Sequence, residues 1–568
     1  MELKKSFKNQ FRIRPEFAVQ FTSILVALFG LYIISDSLIA EVLVHKRGHF
    51  TDFLVDFPIL LGISVIYLAT LLRRRKKTAW MVTVIAISVF LIFGISQYFS
   101  HISRHHIGSM EVVRDIIFPV VVLGILAKLR KQFVVKSDIQ GFRFALKFVI
   151  ILFIITLIYG VAGFELLDDR DFHQEIKLPT AIHYTIDQFN ITTSRPITPY
   201  TKRAHLFVDS LSFISTIAFL YALISLFQPL RSRFSDNTLA RENVKSLLNH
   251  YGGVSEEFFK YHPNDKQYFF DDSGQSAIAF HVMHGVALAL SDPIGNESKF
   301  SELIKSFLEL CFYNDWLPAF IHTSSEFEYM YLNNGFSVQK LGQEAIVDME
   351  NFKTSVVGNK YFRQIKNKFS KQSYSFEVLE PPHHQAVLDR LNTISDDWLS
   401  KGGRAERGFA MGYYTNDYMQ MCRIGVARDA ANTIQAFVNI LPTDFNKEEA
   451  TYDLLRQSSK ALSNVNDFML INLIDKLSSD GYKKLNLGLS PLAGLKEETS
   501  KEQTLVDNVL KFAYNNGDRF FSFSGLYRFK AKYEPSWQDK YIVYKGGVRG
   551  FSRTVTALTR LMTKSVKL

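Results

Sequence analysis

The sequence predicts an α-helical transmembrane bundle of about six spans, followed by a cytosolic α/β region. Long apolar runs occur before Ser235, and beyond it strands and helices alternate with charged residues throughout. The chain has 568 residues, of which 47% are hydrophobic, and this content is high for a soluble protein. A membrane domain and a soluble part longer than one ordinary domain therefore account for the chain.

The predicted spans are apolar runs close to the ~20 residues that cross the hydrocarbon core of a bilayer. They are Phe17–Ala40, Phe53–Leu72, Ala79–Tyr98, Val112–Ala127, Phe144–Phe164 and Leu206–Leu226. Basic residues precede the first span and follow the second, fourth and sixth, most densely in the RRRKK sequence at Arg73–Lys77. Because basic loops stay in the cytoplasm, both termini are predicted to be cytoplasmic in a multi-pass protein.

Charge and cysteine content limit the kinds of partner and site. The net charge of +11 favours anionic partners, with nucleic acid and anionic lipid headgroups as the two candidates. Cys311 and Cys422 are the only cysteines, which argues against a disulfide framework or a Cys-rich metal site. The acidic loop Glu165–Arg203 could bind a cation or be a solvated loop, and the histidines between His101 and His106 lack a carboxylate at matched spacing. No metal site is therefore predicted.

The soluble region repeats one order of elements, an antiparallel hairpin ahead of a helix and then a further strand. The first set is strands Gln267–Asp271, Ala277–Met283 and Val286–Leu290, helix Phe300–Tyr313, strand Leu317–His322 and the segment Phe336–Asp348. The second set is strands Tyr374–Leu379, Met421–Arg428, Thr433–Leu441, Ala450–Leu455, Lys484–Leu489 and Tyr541–Lys545, with helices His384–Leu399, Asn464–Leu477 and Lys501–Asn515. This repetition predicts two similar folds, residues 234–370 and 371–568, in tandem behind a membrane domain of residues 1–233.

A series of short motifs runs through the soluble region. They are SDPIG at Ser291–Gly295, GQEA at Gly342–Ala345, PPH at Pro381–His383, ISDDWL at Ile394–Leu399, GFAMG at Gly408–Gly412, DLLR at Asp453–Arg456, NLGLSPLAG at Asn486–Gly494 and GLYRFKAKYEPSW at Gly525–Trp537. In this order they resemble the phosphatidylglycerol lysyltransferase family, whose members are also called aminoacyl-phosphatidylglycerol synthases or multiple peptide resistance factors. The chain resembles a short form of that family.

The resemblance implies both a fold and a reaction. Members carry two tandem N-acetyltransferase-like (GNAT) folds behind a multi-span domain in the bacterial inner membrane. They transfer an amino acid from aminoacyl-tRNA to a glycerol hydroxyl of phosphatidylglycerol, which lowers the negative charge of the membrane and gives resistance to cationic antimicrobial peptides. Lysine is the commonest amino acid in the family and alanine the next. The implied partners are aminoacyl-tRNA, phosphatidylglycerol and the bilayer, and a homo-oligomer is left open.

Aminoacyl transfer to an alcohol starts from an activated ester, so it needs neither a redox cofactor nor a metal. It needs a group that orients or deprotonates the hydroxyl, a donor for the oxyanion, and cations for the phosphates. The resemblance places Asp453 and Arg456 in the active cleft and makes Lys530 the further catalytic cation. A surface ion pair is the alternative role for Asp453 and Arg456. Extended backbone would point these two to opposite faces, and a helical turn would point them to the same face.

Five further residues are predicted to line the substrate site. Gly488 and Ser490 lie in a Gly/Pro-rich turn after a strand, where glycine either lets a substrate approach backbone N–H groups or simply makes the turn. Tyr527, Arg528 and Lys532 lie in a basic aromatic run that could stack on the tRNA acceptor end or pack on the last strand.

The cofactor, the amino acid and two alternative functions complete the prediction. No cofactor is expected besides aminoacyl-tRNA as co-substrate. Coenzyme A is not expected, because no Gly-rich loop follows SDPIG, and Asp292 is predicted to be structural. Gln457 stands where the family usually has an aromatic residue or His, which leaves the amino acid open, and six spans leave little room for a lipid-flipping module. The alternatives are a lipid transporter or binding protein, and a thioester-dependent N-acyltransferase that makes an amino-acid lipid.

Overall fold

A computed structural model of the chain describes residues 15–44, 57–102, 116–136, 139–167, 169–173, 176–187, 199–226, 238–401, 404–491, 493 and 523–563. The chain falls into two compact units. One is Met1–Arg231 together with Phe312–Asp315, and the other is Ser232–Cys311 together with Trp316–Leu568. The predicted helix Lys501–Asn515 lies outside the described residues.

The first unit consists mainly of helices. They are α1 (Pro15–Val44), α2 (Phe57–Arg73), α3 (Lys77–Ile102), α4 (Phe118–Lys128), α5 (Ile139–Leu166), α6 (Leu178–Asp187) and α7 (Lys202–Leu226). α1 and α2 approach each other closely, because a Cβ atom on Gly30 would lie 2.7 Å from the backbone oxygen of Gly62. Small residues at such crossings are typical of helix pairs in membranes.

The six predicted spans overlap α1 to α5 and α7 of this unit. Among the described residues, one stretch is long and apolar enough to cross a membrane by itself: Phe17–Ser35 of α1, with a mean hydropathy of 2.1. Shorter apolar helical stretches are Gly62–Arg73, Lys77–Ile92, Phe118–Lys128 and Ile150–Leu166. The region is therefore helical and apolar, while the number of spans and their orientation stay predictions.

The second unit begins with α8 (Thr238–Tyr251) and a 3-10 helix, Ser255–Lys260, and continues into a mixed sheet flanked by helices. Its strands are β1 (Gln267–Phe270), β2 (Ser276–Met283), β3 (Val286–Leu290), β4 (Ile294–Gly295), β5 (Leu317–Thr323), β6 (Ser337–Asp348), β7 (Ser375–Leu379), β8 (Arg423–Arg428), β9 (Ile434–Ile440), β10 (Glu449–Gln457), β11 (Lys484–Pro491) and β12 (Ser536–Tyr544). Its main helices are α9 (Phe300–Tyr313), α10 (Glu328–Asn333), α11 (Lys360–Lys371), α12 (Gln385–Ser400), α13 (Asn416–Met421), α14 (Val465–Ser479), α15 (Phe523–Ala531) and α16 (Gly547–Thr563).

The described strands form one twelve-stranded sheet in the order β1-β2-β3-β5-β12-β6-β11-β10-β9-β8-β7, with β4 beside β2. The middle of the sheet departs from sequence order, because β12 lies between β5 and β6 while β6 lies beside β11. The second half of the unit therefore contributes one strand, β12, to the sheet of the first half. The sequence predicted a strand here only from Tyr541, whereas the strand begins at Ser536.

Two pairs of neighbouring strands are parallel, β3 with β5 and β10 with β11. The first pair keeps its register over the whole of β3, as far as Leu290 opposite Ile321. The second pair ends at Thr451 opposite Asn486, although both strands continue along their other neighbours. Each of the two strands also bulges against its other neighbour just beyond this point. An opening between β10 and β11 follows from this divergence.

Apolar side chains on the helices hold the walls of this opening in place. Leu485 and Leu487 of β11 belong to one buried cluster with Phe468 and Leu473 of α14. Leu454 of β10 belongs to another buried cluster, which includes the inward side of α12. Full burial of one such side chain contributes roughly 1.5–3 kcal/mol. Both strand ends are therefore anchored to helices although they no longer pair with each other.

Candidate active site

The opening between β10 and β11 brings two clusters of polar side chains to neighbouring strand ends. Asp453 follows the last paired residue of β10 by two positions, and Gly488 follows the last paired residue of β11 by two positions. Neighbouring strands lie roughly 4.8 Å apart where they pair. Bulges of the kind found in both strands re-aim side chains and are frequent beside active sites.

Asp453 is held by two donors on one of its carboxylate oxygens. Its Oδ2 accepts hydrogen bonds from the Gly412 backbone N–H and from the Tyr418 hydroxyl, both at 2.9 Å. Burial raises the pKa of Asp453 to about 6, although these hydrogen bonds and the charge of Arg456 favour the ionised form. Within the described residues no donor reaches Oδ1. Oδ1 therefore keeps its capacity to accept a hydrogen bond or a proton.

The surroundings of Asp453 leave little room for change. A Cβ atom on Gly412 would lie 2.5 Å from Asp453 Oδ2, so any side chain there would displace the carboxylate. Tyr418 is fully buried, and the His262 ring stacks on it at a centroid distance of 4.2 Å. Burial lowers the pKa of His262 to about 4, so this ring is neutral at pH 7. The GFAMG motif thus contributes to the site through its last glycine.

Arg456 has 3% of its surface exposed, and its charge partner is Glu406 rather than Asp453. Its two Nη atoms donate to the two carboxylate oxygens of Glu406, at 2.8 and 2.6 Å. The Ser395 hydroxyl accepts a further hydrogen bond, and the guanidinium lies 4.9 Å from the centre of the Trp398 ring. Such bidentate pairs are stronger and more directional than simple ion pairs. Arg456 therefore does not form the surface ion pair with Asp453 that the sequence left open.

Lys530 belongs to the second cluster. It is 3% exposed, and its Nζ donates to the backbone oxygens of Gly488 at 2.8 Å and Leu489 at 2.9 Å. Gly488 has a φ of +79°, and a Cβ atom on it would lie 3.7 Å from Lys530 Nζ and 3.6 Å from Glu256 Oε1. Glycine therefore suits this position both for its backbone conformation and for the close approach of charged groups.

Side chains from four further elements join Lys530 of α15 in this second cluster. His322, at the end of β5, places Nε2 3.2 Å from Glu256 Oε2 and 2.7 Å from Glu344 Oε1. Lys540 of β12 places Nζ 3.2 Å from the other oxygen of Glu344. His322 has a φ of +66°. Left-handed backbone is uncommon in non-glycine residues and is often found at functional sites.

Burial and mutual charge set the protonation of the second cluster. Burial, together with the neighbouring Glu344, raises the pKa of Glu256 well above its ordinary value. Against burial, His322, Glu256 and Lys540 hold the pKa of Glu344 below its ordinary value. Burial lowers the pKa of Lys530 to about 8, while Glu256 and Glu344 oppose this effect. Lys530 therefore titrates close to neutral pH and is the member suited to exchange a proton.

Glu256, His322 and Glu344 are also spaced as metal ligands, since their ligand atoms lie within 4.8 Å of one another. These three residues lie far apart along the chain, so their spacing in the sequence does not indicate a metal site. Lys530 and Lys540, however, already supply positive charge to both carboxylates. Because buried charges are stable when they are paired, this cluster fits proton exchange better than it fits a divalent cation.

The other predicted substrate residues lie in different settings. Ser490 is fully buried, and its hydroxyl has no hydrogen-bond partner among the described residues. Tyr527 is 39% exposed and stacks on Trp537 with a centroid distance of 4.6 Å. Arg528 is exposed on the same helix. Lys532 is held by a 2.5 Å ion pair to a buried aspartate of α14. Of these, Arg528 is the charged group that is most open to a partner.

The structure divides the predicted catalytic residues between the two clusters, with Asp453 and Arg456 in one and Lys530 in the other. The 3-10 helix Ser255–Lys260 links the clusters. Its Glu256 faces Lys530, and a phenylalanine of the same helix stacks on the tyrosine that binds Asp453. The two clusters thus form adjoining parts of one candidate active site.

Sequence reasoning missed six residues of the two clusters, which are Glu256, His322, Glu344, Glu406, Tyr418 and Lys540. Glu344 belongs to the GQEA motif, and Glu406 and Tyr418 lie on either side of GFAMG, so closeness to a motif was the available signal for them. Glu256, His322 and Lys540 carry no such signal, because only the pairing of distant strands brings them together.

Two family models match the chain. One, described as phosphatidylglycerol lysyltransferase, C-terminal, matches residues 246–544, which is more than half of the chain. The other, described as the transmembrane region of lysyl-tRNA synthetase, matches residues 14–227. The first match includes both clusters of the candidate active site, and the second covers the helices of the first unit.

Similar proteins carry the name of the first family. The phosphatidylglycerol lysyltransferase of Bacillus subtilis (strain 168) is 30% identical over 326 residues, which are 57% of this chain and 37% of that protein. The phosphatidylglycerol lysyltransferase of Staphylococcus epidermidis (strain ATCC 35984) is 31% identical over 302 residues, which are 53% of this chain and 35% of that protein. The chain thus spans little more than a third of the length of these relatives.

A solved structure agrees with these matches. The L-PGS of Bacillus licheniformis is 31% identical, with a TM-score of 0.50, over 57% of this chain and 97% of that chain. The family match covers the DLLR motif, both diverging strands and the residues that surround Lys530. This chain belongs to the phosphatidylglycerol lysyltransferase family.

Proposed function

We propose that this protein transfers an amino acid from aminoacyl-tRNA to a glycerol hydroxyl of phosphatidylglycerol at the cytoplasmic face of the bacterial inner membrane. The observation that carries the proposal is Asp453, which lies at the opening between β10 and β11 near the partly buried pair of Arg456 and Glu406. The names of the relatives support the lipid acceptor. Lysine is the proposed amino acid, and alanine is the alternative.

The proposed reaction exchanges one ester for another. The lipid hydroxyl oxygen forms a bond to the aminoacyl carbonyl carbon, and the bond from that carbon to the tRNA ribose oxygen breaks. The proton of the lipid hydroxyl ends on the ribose oxygen, and neither substrate is oxidised or reduced. The protein therefore has to move one proton and to stabilise one oxyanion.

Asp453 and Lys530 are the two groups suited to the proton transfer. A carboxyl with a pKa of about 6 is ionised at neutral pH, so Asp453 can accept the hydroxyl proton through Oδ1. An ammonium with a pKa of about 8 is still protonated at neutral pH, so Lys530 can donate to the oxyanion or to the leaving oxygen. Arg456, fixed by Glu406, keeps a permanent cation near the carboxylate. A base and an acid with pKa values on either side of 7 match the needs of this reaction.

The first unit completes the proposal. Its apolar helices would hold the enzyme in the bilayer as a multi-pass protein with both termini in the cytoplasm, where charged tRNA is available. The product would carry an added amino group, which lowers the negative surface charge that attracts cationic antimicrobial peptides. No cofactor besides the tRNA co-substrate is part of the proposal.

Transfer of radiolabelled lysine or alanine from charged tRNA into lipid, by the full-length protein in phosphatidylglycerol liposomes, is the direct test. We expect labelled lipid that is lost when RNase is added or when phosphatidylcholine replaces phosphatidylglycerol. Labelling that survives RNase and requires an acyl thioester would replace this proposal with the N-acyltransferase. Lipid movement between leaflets without labelling by any amino acid would replace it with the transporter.

A further inference from the structure

Helix α11 has a strongly basic outer side. Four exposed basic residues, Lys360, Arg363, Lys366 and Lys371, form what we call the basic face, and no acidic residue occurs in the helix. At 100° per residue, these four positions fall within less than half of the helix circumference. At 1.5 Å per residue they extend over about 16 Å. The basic face is therefore a continuous row of positive charge.

The basic face carries positive charge that the described acidic residues do not pair with. None of its four side chains forms an ion pair within the part of the chain that the structure describes. Two basic residues elsewhere do have acidic neighbours: the half-buried Arg428 pairs with Glu377, and the exposed Lys305 of α9 has Glu302 and Glu309 one turn away on either side. A row of unpaired like charges repels itself, and an anionic partner relieves that repulsion.

A short series of contacts joins α11 to the candidate active site. Tyr361 of α11 donates to Asp467 at 2.8 Å, and Lys532 Nζ binds both Asp467 at 2.5 Å and the Tyr361 oxygen at 3.1 Å. Lys532 directly follows α15, which carries the exposed Arg528 and the buried Lys530. An anionic polymer on the basic face would therefore run towards Arg528 and the opening beyond it.

We propose that the basic face of α11 docks the phosphate backbone of the donor RNA, an inference that rests on the proposed function. A helix that lies in a membrane interface presents large apolar side chains to the acyl chains. On α11 the side chains of that kind, Phe362, Ile365 and Phe369, are at most 5% exposed. The outer side thus offers charge and hydrogen bonds only, as do surfaces that bind phosphates without reading base sequence. RNA therefore fits this surface better than the bilayer does.

Replacing Arg363, Lys366 and Lys371 together by Gln, in the full-length protein in phosphatidylglycerol liposomes, tests the docking surface. Because each phosphate contact releases counterions, the variant should bind uncharged tRNA at least ~10-fold more weakly at about 0.15 M salt. The slope of log Kd against log salt concentration should fall by about two to three. The KM for aminoacyl-tRNA should rise by a similar factor, with a smaller change in kcat.

Lys305→Gln is the matched control, because it removes an exposed lysine from a helix of mixed charge, and its Kd for tRNA should equal that of the parent. Equal tRNA binding by the triple variant and the parent would overturn the proposal. Weaker flotation with RNA-free anionic liposomes, with tRNA binding intact, would assign the face to the membrane and overturn it too. Binding of uncharged tRNA needs no turnover, so its loss in the triple variant supports the surface even if the parent transfers no amino acid. Absence of amino-acid transfer by the parent would count against the proposed function alone.

Discussion

The two parallel strand pairs of the soluble unit end in opposite ways. β3 and β5 stay paired to Leu290 and Ile321, and the N–H of Ser291 then donates to the Ile321 oxygen at 2.7 Å. β10 and β11 separate after Thr451 and Asn486, and each continues along its other neighbour. A parallel strand pair thus stays hydrogen-bonded in the first half of the unit and opens in the second half. Local strand order does not by itself determine where a site forms.

An aspartate follows the last paired residues of each parallel pair. The two aspartates differ in which of their carboxylate oxygens accept hydrogen bonds. Asp292 uses both carboxylate oxygens, one for the Tyr331 hydroxyl at 2.9 Å and one for the Ser324 N–H at 2.8 Å. Asp453 receives both of its hydrogen bonds on one oxygen. Burial raises the pKa of both residues. A raised pKa is therefore shared by a structural and a candidate catalytic carboxyl, and the oxygen that no described donor reaches distinguishes the two.

Exchanging each aspartate for asparagine should separate these two roles. Asp453→Asn keeps the size of the side chain but cannot accept a proton, so turnover should fall by ~10²–10⁴-fold with little change in melting temperature. Asp292→Asn should retain turnover but lower the free energy of unfolding by about 1–3 kcal/mol, because one of its buried acceptors becomes a donor. Lipid-transfer assays and denaturant unfolding measure the two effects. An equal loss of activity in both variants would remove the distinction.

Glycine substitutions test whether the exact position of the Asp453 carboxylate matters for the reaction. Gly412→Ala forces a Cβ atom to within 2.5 Å of Asp453 Oδ2 unless the carboxylate moves, so turnover should fall by roughly 10- to 100-fold. Gly358 is the control, because a Cβ atom on it would meet nothing within 4 Å. Gly358→Ala should leave transfer unchanged. If both variants turned over at the parent rate, the placement of Asp453 would not matter for the reaction.

The pH dependence of amino-acid transfer tests whether Asp453 of the first cluster and Lys530 of the second cluster both take part in the reaction. Activity that needs ionised Asp453 falls as pH drops through about 6, and activity that needs protonated Lys530 falls as pH rises through about 8. Glu344→Gln removes a carboxylate that raises the pKa of Lys530, so the alkaline limb of the profile should move about one unit lower. kcat/KM measured from pH 5 to 9, corrected for spontaneous ester hydrolysis, gives both limbs. An alkaline limb that stays in place would mean that Lys530 does not set it.

The raised pKa of Asp453 also affects how the free energy of unfolding depends on pH. Its pKa is higher in the folded state than its ordinary 3.8, so the folded state binds more protons than the unfolded state between 3.8 and about 6. The contribution of Asp453 to the free energy of unfolding therefore falls as pH rises through this window. Asp453→Asn should flatten that part of the stability profile. An unchanged slope between pH 4 and 6 would contradict the raised pKa.

Local sequence patterns predicted many of the helices and strands of this fold. They did not predict which strands pair when these lie far apart in the sequence. The hairpin of β2 and β3 and the helix Phe300–Tyr313 were predicted from local sequence patterns. The insertion of β12 between β5 and β6 depends on side chains far apart in sequence, and no local pattern encodes it. The cluster of Glu256, His322 and Glu344 was missed for the same reason. Asp453 and Arg456 came from a family motif, while the bulge that breaks strand alternation between them left no mark in the sequence.

The smallest expected effect distinguishes two basic residues that looked alike in the sequence. Lys532 is bound to Asp467, so Lys532→Gln should lower the free energy of unfolding by less than about 1 kcal/mol, given its 29% exposure, and leave the KM for aminoacyl-tRNA unchanged. Arg528 is exposed and has no ion pair within the residues that the structure describes, so Arg528→Gln should raise that KM by about two- to fivefold. Steady-state transfer at several tRNA concentrations, with thermal melts of each variant, measures both quantities. The opposite pattern, a higher KM for Lys532→Gln alone, would mean that Lys532 leaves Asp467 when RNA binds.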